Sequence, residues 1–356
     1  MMFLFLVALS TSLAEASFSC KDQHNFNVPW FSAYKMPKMA GETVGSKDGT
    51  GFYYLDSADR SAFKASPVAI SESHQAIGYT LDQYYSNKNN KNVLHVFYND
   101  EVPGSVELDQ DNEDPKAVEF GHTKGAVIFD GTSGTGVWLI HSVPKFPPPD
   151  SYAYPSSGVD YGQTFLCLTL NAAEVKLLGT VLFYNHPQIY SKSEPSWVAA
   201  ASPDMHSVLS GQYNSDASRT SLHQTITVVG NQANPSKMEV FAKTHLFKDD
   251  LWMGLVAPVL GSLEVETWRR GSEIPLDCHS AHPVYDAQNI QVGGTGEFHY
   301  TKDHSKYART MGGTKKVCIG DINRMTTQYV RGGGTVCLAD DQLWHAFEVF
   351  KQTQTC

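Results

Sequence analysis

The sequence predicts an α+β fold (an α/β architecture in the loose sense) made of two similar halves, residues 17–195 and 196–356, each a mixed β-sheet flanked by helices. Three observations carry this. Short strand-like runs alternate with helix-like ones along the chain. Aromatic residues at 12% and 28 glycines suit sheets joined by tight turns. A short His-x-Lys pattern occurs once in each half. Hydrophobic residues at 41% and charged residues at 18% describe a chain that buries a core.

Taken in order, Phe3 to Leu13 is an apolar run followed by Ala14-Glu15-Ala16, a small-x-small cleavage pattern, so residues 1–16 read as a secretory signal peptide. The run is too short to span a bilayer, and no later stretch is a better candidate. Strands are expected at Asn92–Tyr98, ending in an Asn99-Asp100 turn, and at Ala117–Phe129, broken by a Gly-flanked turn. Further strands are expected at Val137–Ile140 and Phe165–Leu170, with an extended loop at Pro147–Pro149 between them. Ala172–Leu178 and Leu343–Lys351 carry helical periodicity. Ser191–Arg219, rich in Ser, Pro, Ala and Asp, is the expected boundary between the halves. Thr225–Val229 and Leu263–Trp268 are strands of the second half.

Six cysteines, Cys20, Cys167, Cys278, Cys318, Cys337 and Cys356, remain after the signal peptide. In an oxidising compartment an even number favours three disulfides, with about 15 connectivities open. Cys318 and Cys337 flank one loop and Cys356 is the last residue, where a bridge would tie down the terminus. No CxxC pair is present, which argues against a zinc site of the usual spacing.

The formal charge of −10 argues against a generic nucleic-acid binder. The 14 histidines qualify that, because protonating all of them would take −10 to +4. The protein would then repel polyanions at neutral pH and attract them in an acidic compartment.

The chemistry rests on the repeated pattern. His122-Thr123-Lys124 is followed after nineteen residues by His141, and His304-Ser305-Lys306 after nineteen by Asn323, beyond Asp321. On a strand, residues i and i+2 share a face, so each pattern sets an imidazole beside an ammonium. Imidazole attacks phosphorus or protonates a leaving oxygen, and the lysine holds a non-bridging oxygen of the anionic transition state. Two such units facing each other would cleave a phosphodiester with neither metal nor cofactor. With 14 His and 20 Lys, chance alone gives somewhat under one such pattern, so its context must carry the reading.

That context is a series of segments. In order they are Trp30–Pro37, Tyr98-Asn99-Asp100, Gly121–Gly125, Trp138–Pro147, Tyr161–Thr164, Asp303–Lys306, Gly320–Arg324 and Arg331–Thr335. With them the chain resembles the deoxyribonuclease II family over nearly its whole mature length. The resemblance implies a phospholipase D-like fold whose halves each give one His-x-Lys to a site at their interface. It also implies hydrolysis of DNA at acid pH, without a divalent metal, leaving 3′-phosphate ends. Carried over, His122 and Lys124 form one half-site and His304 and Lys306 the other. His122 is assigned as nucleophile and His304 as general acid, with the reverse order left open. His141, Asp321 and Asn323 are supporting or phosphate-binding candidates. The disulfides implied are Cys20–Cys167, Cys278–Cys356 and Cys318–Cys337.

Two departures stand out. The wider fold group carries an Asp after His-x-Lys, whereas here Asp130 lies one residue too far and nothing follows Lys306. No Asn-x-Ser/Thr sequon occurs, Pro at x excluded, which leaves both a lysosomal and a secreted location open. The expected partner is DNA, with no membrane, and the expected state is a monomer. Trp268-Arg269-Arg270 reads as a solvated strand end or a phosphate clamp. Arg331-Gly332-Gly333-Gly334 reads as a chain reversal or a backbone cradle for phosphate. Two other functions compete with this one: a secreted, inactive scaffold that binds DNA or another partner, and a phosphodiesterase of phospholipid head groups. Both intact His-x-Lys patterns speak against the first, and the family segments speak against the second.

Overall fold

The computed structural model describes residues 18–41, 43–105, 119–229 and 236–356. The expected signal peptide, 1–16, lies outside them, as does the start of the strand expected at Ala117–Phe129. The fold is α+β, dominated by one large mixed sheet with few helices.

Two runs of strands make up that sheet. In the first, Phe52–Asp56, Trp30–Lys35, Gln163–Asn171, Thr135–His141, Gly125–Asp130, Val93–Tyr98 and Ile189–Ser193 are neighbours in that order, all antiparallel. In the second, Ser221–Val228, Ser236–Lys243, Gly333–Ala339, Lys316–Gly320, Tyr307–Thr310 and Leu263–Glu266 follow one another antiparallel, and Leu263–Glu266 then pairs in parallel with Val284–Ile290. One residue pair, Val228 with Leu170, joins the runs. The central strands are buried on both faces and read accordingly, as in VLHVFY and QTFLCLTL, where continuous apolar stretches replace strict alternation.

Several sequence expectations are corrected. In the Ala117–Phe129 region the strand begins only at Gly125, and the described residues before it form an irregular lead-in. Both His-x-Lys patterns sit immediately before a strand rather than within one. The helix expected from Ala172 starts as a 3₁₀ turn and continues to Asn185. The helix expected at Leu343–Lys351 spans only Asp341–Ala346, and Phe350–Thr353 then pairs with Val284–Ile290. Long-range pairing wins there over local periodicity. The Ser191–Arg219 stretch holds the end of a strand and the helices Val198–Ala201 and Pro203–Leu209. Ser202, one of the residues that made the stretch look loop-like, caps the second helix by accepting from Met205 N at 3.1 Å, with Pro203 at the first helical position. The helix Ala76–Tyr85 was not expected; Gln75 caps it by accepting from Ile77 N at 2.7 Å.

Disulfides join Cys20 to Cys167, Cys278 to Cys356 and Cys318 to Cys337, and among the described residues no cysteine is free. No helix of the described residues is long and apolar enough to cross a membrane.

Candidate active site

Close backbone packing fixes the first histidine. Gly121 and Gly332 both lie against the Asn185 carbonyl, where an added Cβ would come to 1.8 Å and 2.4 Å of that oxygen, so only glycine fits at either position. The Gly121 N–H donates to His186 O at 2.8 Å and the His122 N–H to Gly332 O at 2.9 Å. The glycine-rich loop is thus spent on holding His122, and its Gly334 N–H donates to Asp321 Oδ1 at 3.1 Å. Arg331, in the same loop, donates to Phe120 O at 3.1 Å and Gly121 O at 3.3 Å.

The second histidine is fixed in a parallel way. Gly162 packs so closely on Asp303 that a Cβ would meet Asp303 Oδ1 at 2.3 Å. Its carbonyl accepts from His304 N at 2.8 Å, and its N–H donates to Lys302 O at 2.8 Å. The middle residue of each pattern turns away and anchors: Thr123 donates to Asp321 Oδ2, and Ser305 donates to Asp303 Oδ1 at 2.6 Å. Tyr34, from the Trp30–Pro37 segment, donates to Asp303 as well.

Each imidazole reaches across for its carbonyl. His122 Nδ1 lies 2.6 Å from Asp321 O, and His304 Nδ1 lies 3.0 Å from Ser142 O. A carbonyl only accepts, so both rings donate from Nδ1 and leave Nε2 for chemistry. Lys306 Nζ lies 3.1 Å from His304 Nδ1, but its own hydrogen bond goes to His304 O at 2.5 Å. Around His122 Nε2 stand Asp100 Oδ2 at 3.4 Å and Asn323 Nδ2 at 3.3 Å. Asp100 also receives Lys124, and Arg331 approaches it at 3.6 Å.

Electrostatics couple the two pairs. Burial lowers His122 well below the ordinary histidine value, Lys124, Arg331 and Lys306 add to this, and Asp100 opposes it. Burial also lowers His304, with Lys306, Lys124 and His122 in support. Lys306 is pushed well down by burial and by Lys124. Burial pushes Asp100 up, but His122, Lys124 and Arg331 outweigh it and hold the carboxyl well below its usual range. Asp321 is raised by burial to about 6. All four residues of the His-x-Lys patterns therefore lie in one electrostatic neighbourhood, with three cationic side chains facing one strongly acidic carboxylate.

Asp100 and Arg331 were not singled out as site residues, and neither were Ser142 and Gln163, whose Oε1 lies 3.4 Å from His304 Nδ1. In the sequence Asp100 stands in a turn and in one of the segments that carry the resemblance, with no role attached to it. His141 behaves differently from the pattern that suggested it. It is fully buried against Phe146 and Phe165, its Nδ1 accepts from Val143 N at 3.2 Å, and burial lowers it to about 3. Asp130 caps a turn through Thr132 N at 3.1 Å and Ser133 N at 3.0 Å, so the carboxylate against the lysine is Asp100. Arg269 is no solvated strand end: it is buried, 3.6 Å from Glu266 and 3.7 Å from Asp286. Among the described residues, Gln163 Nε2, Asn323 Oδ1 and His141 Nε2 are buried polar atoms near the pairs without a hydrogen-bond partner. Among the described residues, no three His, Cys, Asp or Glu side chains converge as a metal's ligand set.

The comparisons with known proteins agree with one another. The family model for deoxyribonuclease II matches residues 19–356. Deoxyribonuclease-2 of Caenorhabditis elegans is 45% identical, covering 99% of this chain and 98% of its own length. Plancitoxin-1 of Acanthaster planci is 35% identical over 96% and 93%, and deoxyribonuclease-2-beta of Mus musculus 33% over 97% and 94%. A match across the whole folded chain, with His122, Lys124, His304 and Lys306 gathered in one buried polar cluster, places this chain in the deoxyribonuclease II family.

Proposed function

We propose that this deoxyribonuclease cuts DNA internally at acid pH, leaving 3′-phosphate ends, and that His122 and His304 do the chemistry without a metal. The carrying observation is the crossed pair of imidazoles, each with Nδ1 held by a carbonyl, so that in the neutral ring the lone pair sits on Nε2. His122 Nε2 attacks phosphorus while His304 gives its proton to the departing 5′ oxygen. The product of this step is a strand bonded through its 3′-phosphoryl group to His122, together with a free 5′-hydroxyl. The ring of that adduct is positive, and Asp100 beside Nε2 and the Asp321 carbonyl at Nδ1 stabilise it. His304, now neutral, takes a proton from water. The resulting hydroxide attacks phosphorus, the P–N bond breaks, and the 3′-phosphate leaves. Lys124, Lys306 and Arg331 supply positive charge around the phosphoryl oxygens. Gln163 Nε2, a buried donor without a partner, suits one of those oxygens.

The acid working range follows from His304. Its value is lowered by burial and neighbouring cations, so the proton it must donate is loaded only at low pH or when an anionic phosphate arrives. An electrostatic approach by the whole surface contributes less than composition alone implies. Eight histidines are exposed, and adding eight charges takes −10 only to −2. The local cations, more than the net charge, attract the backbone. Three disulfides and the apolar N-terminal run support entry to the secretory pathway, and hence a lysosomal or extracellular setting.

Plasmid DNA incubated with the mature protein at about pH 5 and about pH 7.5, with excess EDTA, tests the reading. Cleavage at the lower pH unaffected by EDTA, with ends that block extension until a phosphatase is added, is the expected result. Cleavage lost to EDTA, or ends bearing a 3′-hydroxyl, overturns it.

A further inference from the structure

Beside His304 the structure carries an aromatic group that the two-histidine chemistry does not use. The Trp268 ring meets the His304 ring edge-on, with centroids 5.1 Å apart and planes at 61°. Tyr161 packs on Trp268 at 4.7 Å and 69°, and its neighbour Gly162 provides the carbonyl that holds the His304 backbone. Arg270 lays its guanidinium 4.4 Å from the Trp268 ring and 5.3 Å from Tyr161, and donates to Thr301 O at 3.1 Å. Trp268 and Tyr161 are partly exposed and Arg270 is exposed, so the cluster is open to a ligand.

We infer that Trp268, backed by Tyr161 and Arg270, is a stacking platform for a nucleobase flanking the scissile phosphate. The inference rests on the reading of His304 as part of the chemical site. A phosphate bound at His304 brings the bases of its two nucleotides beside the indole. An aromatic face with a cation against it offers a nucleobase both stacking and charge, whatever its identity. Inside a duplex both faces of a base are already covered, so the platform takes a base that is single-stranded or swung out of its stack. The DNA is therefore recognised at two points, the backbone by buried cations and one flanking base by the indole. Cleavage then depends on how easily the strand opens locally.

The test is a cycle between protein and substrate. A single-stranded oligonucleotide and its twin, with an abasic analogue beside one mapped cleavage position, are digested by wild type and by Trp268→Ala, and kcat/KM at that position is compared. A base stacked on an aromatic ring contributes about 1–3 kcal/mol, or between about fivefold and a hundredfold. Removing either the base or the indole should each cost a factor in that range, and removing both should cost little more than one alone. Trp268→Phe should recover most of the base-dependent part. If Trp268→Ala loses the same factor on both substrates, the indole acts only by packing on His304 and the platform is overturned while the two-histidine reading stands. If wild type cleaves neither substrate at acid pH, both are overturned.

Discussion

The two lysines of the site differ more than their repeated pattern implies. Lys124 is fully buried and ion-paired with Asp100, which is itself shared with His122 and Arg331. Lys306 is just as buried, but among the described residues its hydrogen bonds lie around its own His304 and it forms no ion pair. In the proposed site, one half would be electrostatically complete before substrate arrives, and the other would gain a counter-charge from the substrate phosphate. The lesson concerns cost. A buried ion pair is destabilising to break, whereas a buried lysine without a direct ion-pair partner costs less to remove.

Loss of either histidine should damage cleavage most. His122→Ala and His304→Ala should each lower acid DNA cleavage by about 10⁴-fold or more, since nucleophile and proton donor act as a unit. Both proteins should stay folded by circular dichroism. Near-wild-type cleavage by either would remove that residue from the chemistry.

The two lysines should separate in stability. Lys124→Met leaves Asp100 with fewer partners and should destabilise the fold by about 3 kcal/mol or more in denaturant titration. Lys306→Met removes a buried amine that makes no direct ion pair among the described residues, and should destabilise the fold less than Lys124→Met does. Both variants should lose activity by about 10²–10³-fold, as for removal of one transition-state donor. Equal destabilisation by both would erase the distinction drawn here.

A smaller effect comes from proton linkage. His122 and His304 have folded values below their unfolded value of about 6.5, so the fold favours their neutral forms. Their influence costs nothing above that pH and becomes increasingly unfavourable as pH falls below it. An anion in the site offsets that loss. Sulfate, doubly charged at both pH values, should therefore raise Tm more at about pH 5 than at about pH 7.5. His304→Ala should shrink the difference. An identical sulfate shift at both pH values would show that the histidines and the anion do not communicate.

Much of this was legible in the sequence, for a reason that also sets the limit. The strands around Val93–Tyr98 and Gln163–Asn171 announce themselves because their apolar runs depend on local composition. The two His-x-Lys patterns announce themselves because each is local in the chain. Asp100 does not, because its meaning lies in Lys124, His122 and Arg331, the last of them 231 positions away in a chain of 356 residues. The nineteen-residue spacing that paired His141 with Asn323 was misleading in one member. Asn323 reaches His122, while His141 is enclosed by Phe146 and Phe165. The glycines were visible as turns but not as the close contacts at Asn185 and Asp303 that hold each histidine. Likewise Leu343–Lys351 has helical periodicity, but its end is drawn into a strand by Val284–Ile290.

The division of labour between the histidines is the most exposed claim, and one substrate tests it. An oligonucleotide with sulfur in place of the bridging 5′ oxygen at one bond needs no proton donor there, because a thiolate leaves without help. Release of the 5′-thiol strand in a single turnover, at acid pH and with EDTA present, should be restored to His304→Ala by about 10²-fold or more relative to the oxygen substrate, the size of a general-acid contribution. His122→Ala should gain nothing. Rescue of His122→Ala instead would reverse the two roles, and rescue of neither would contradict the account of His304 as the acid.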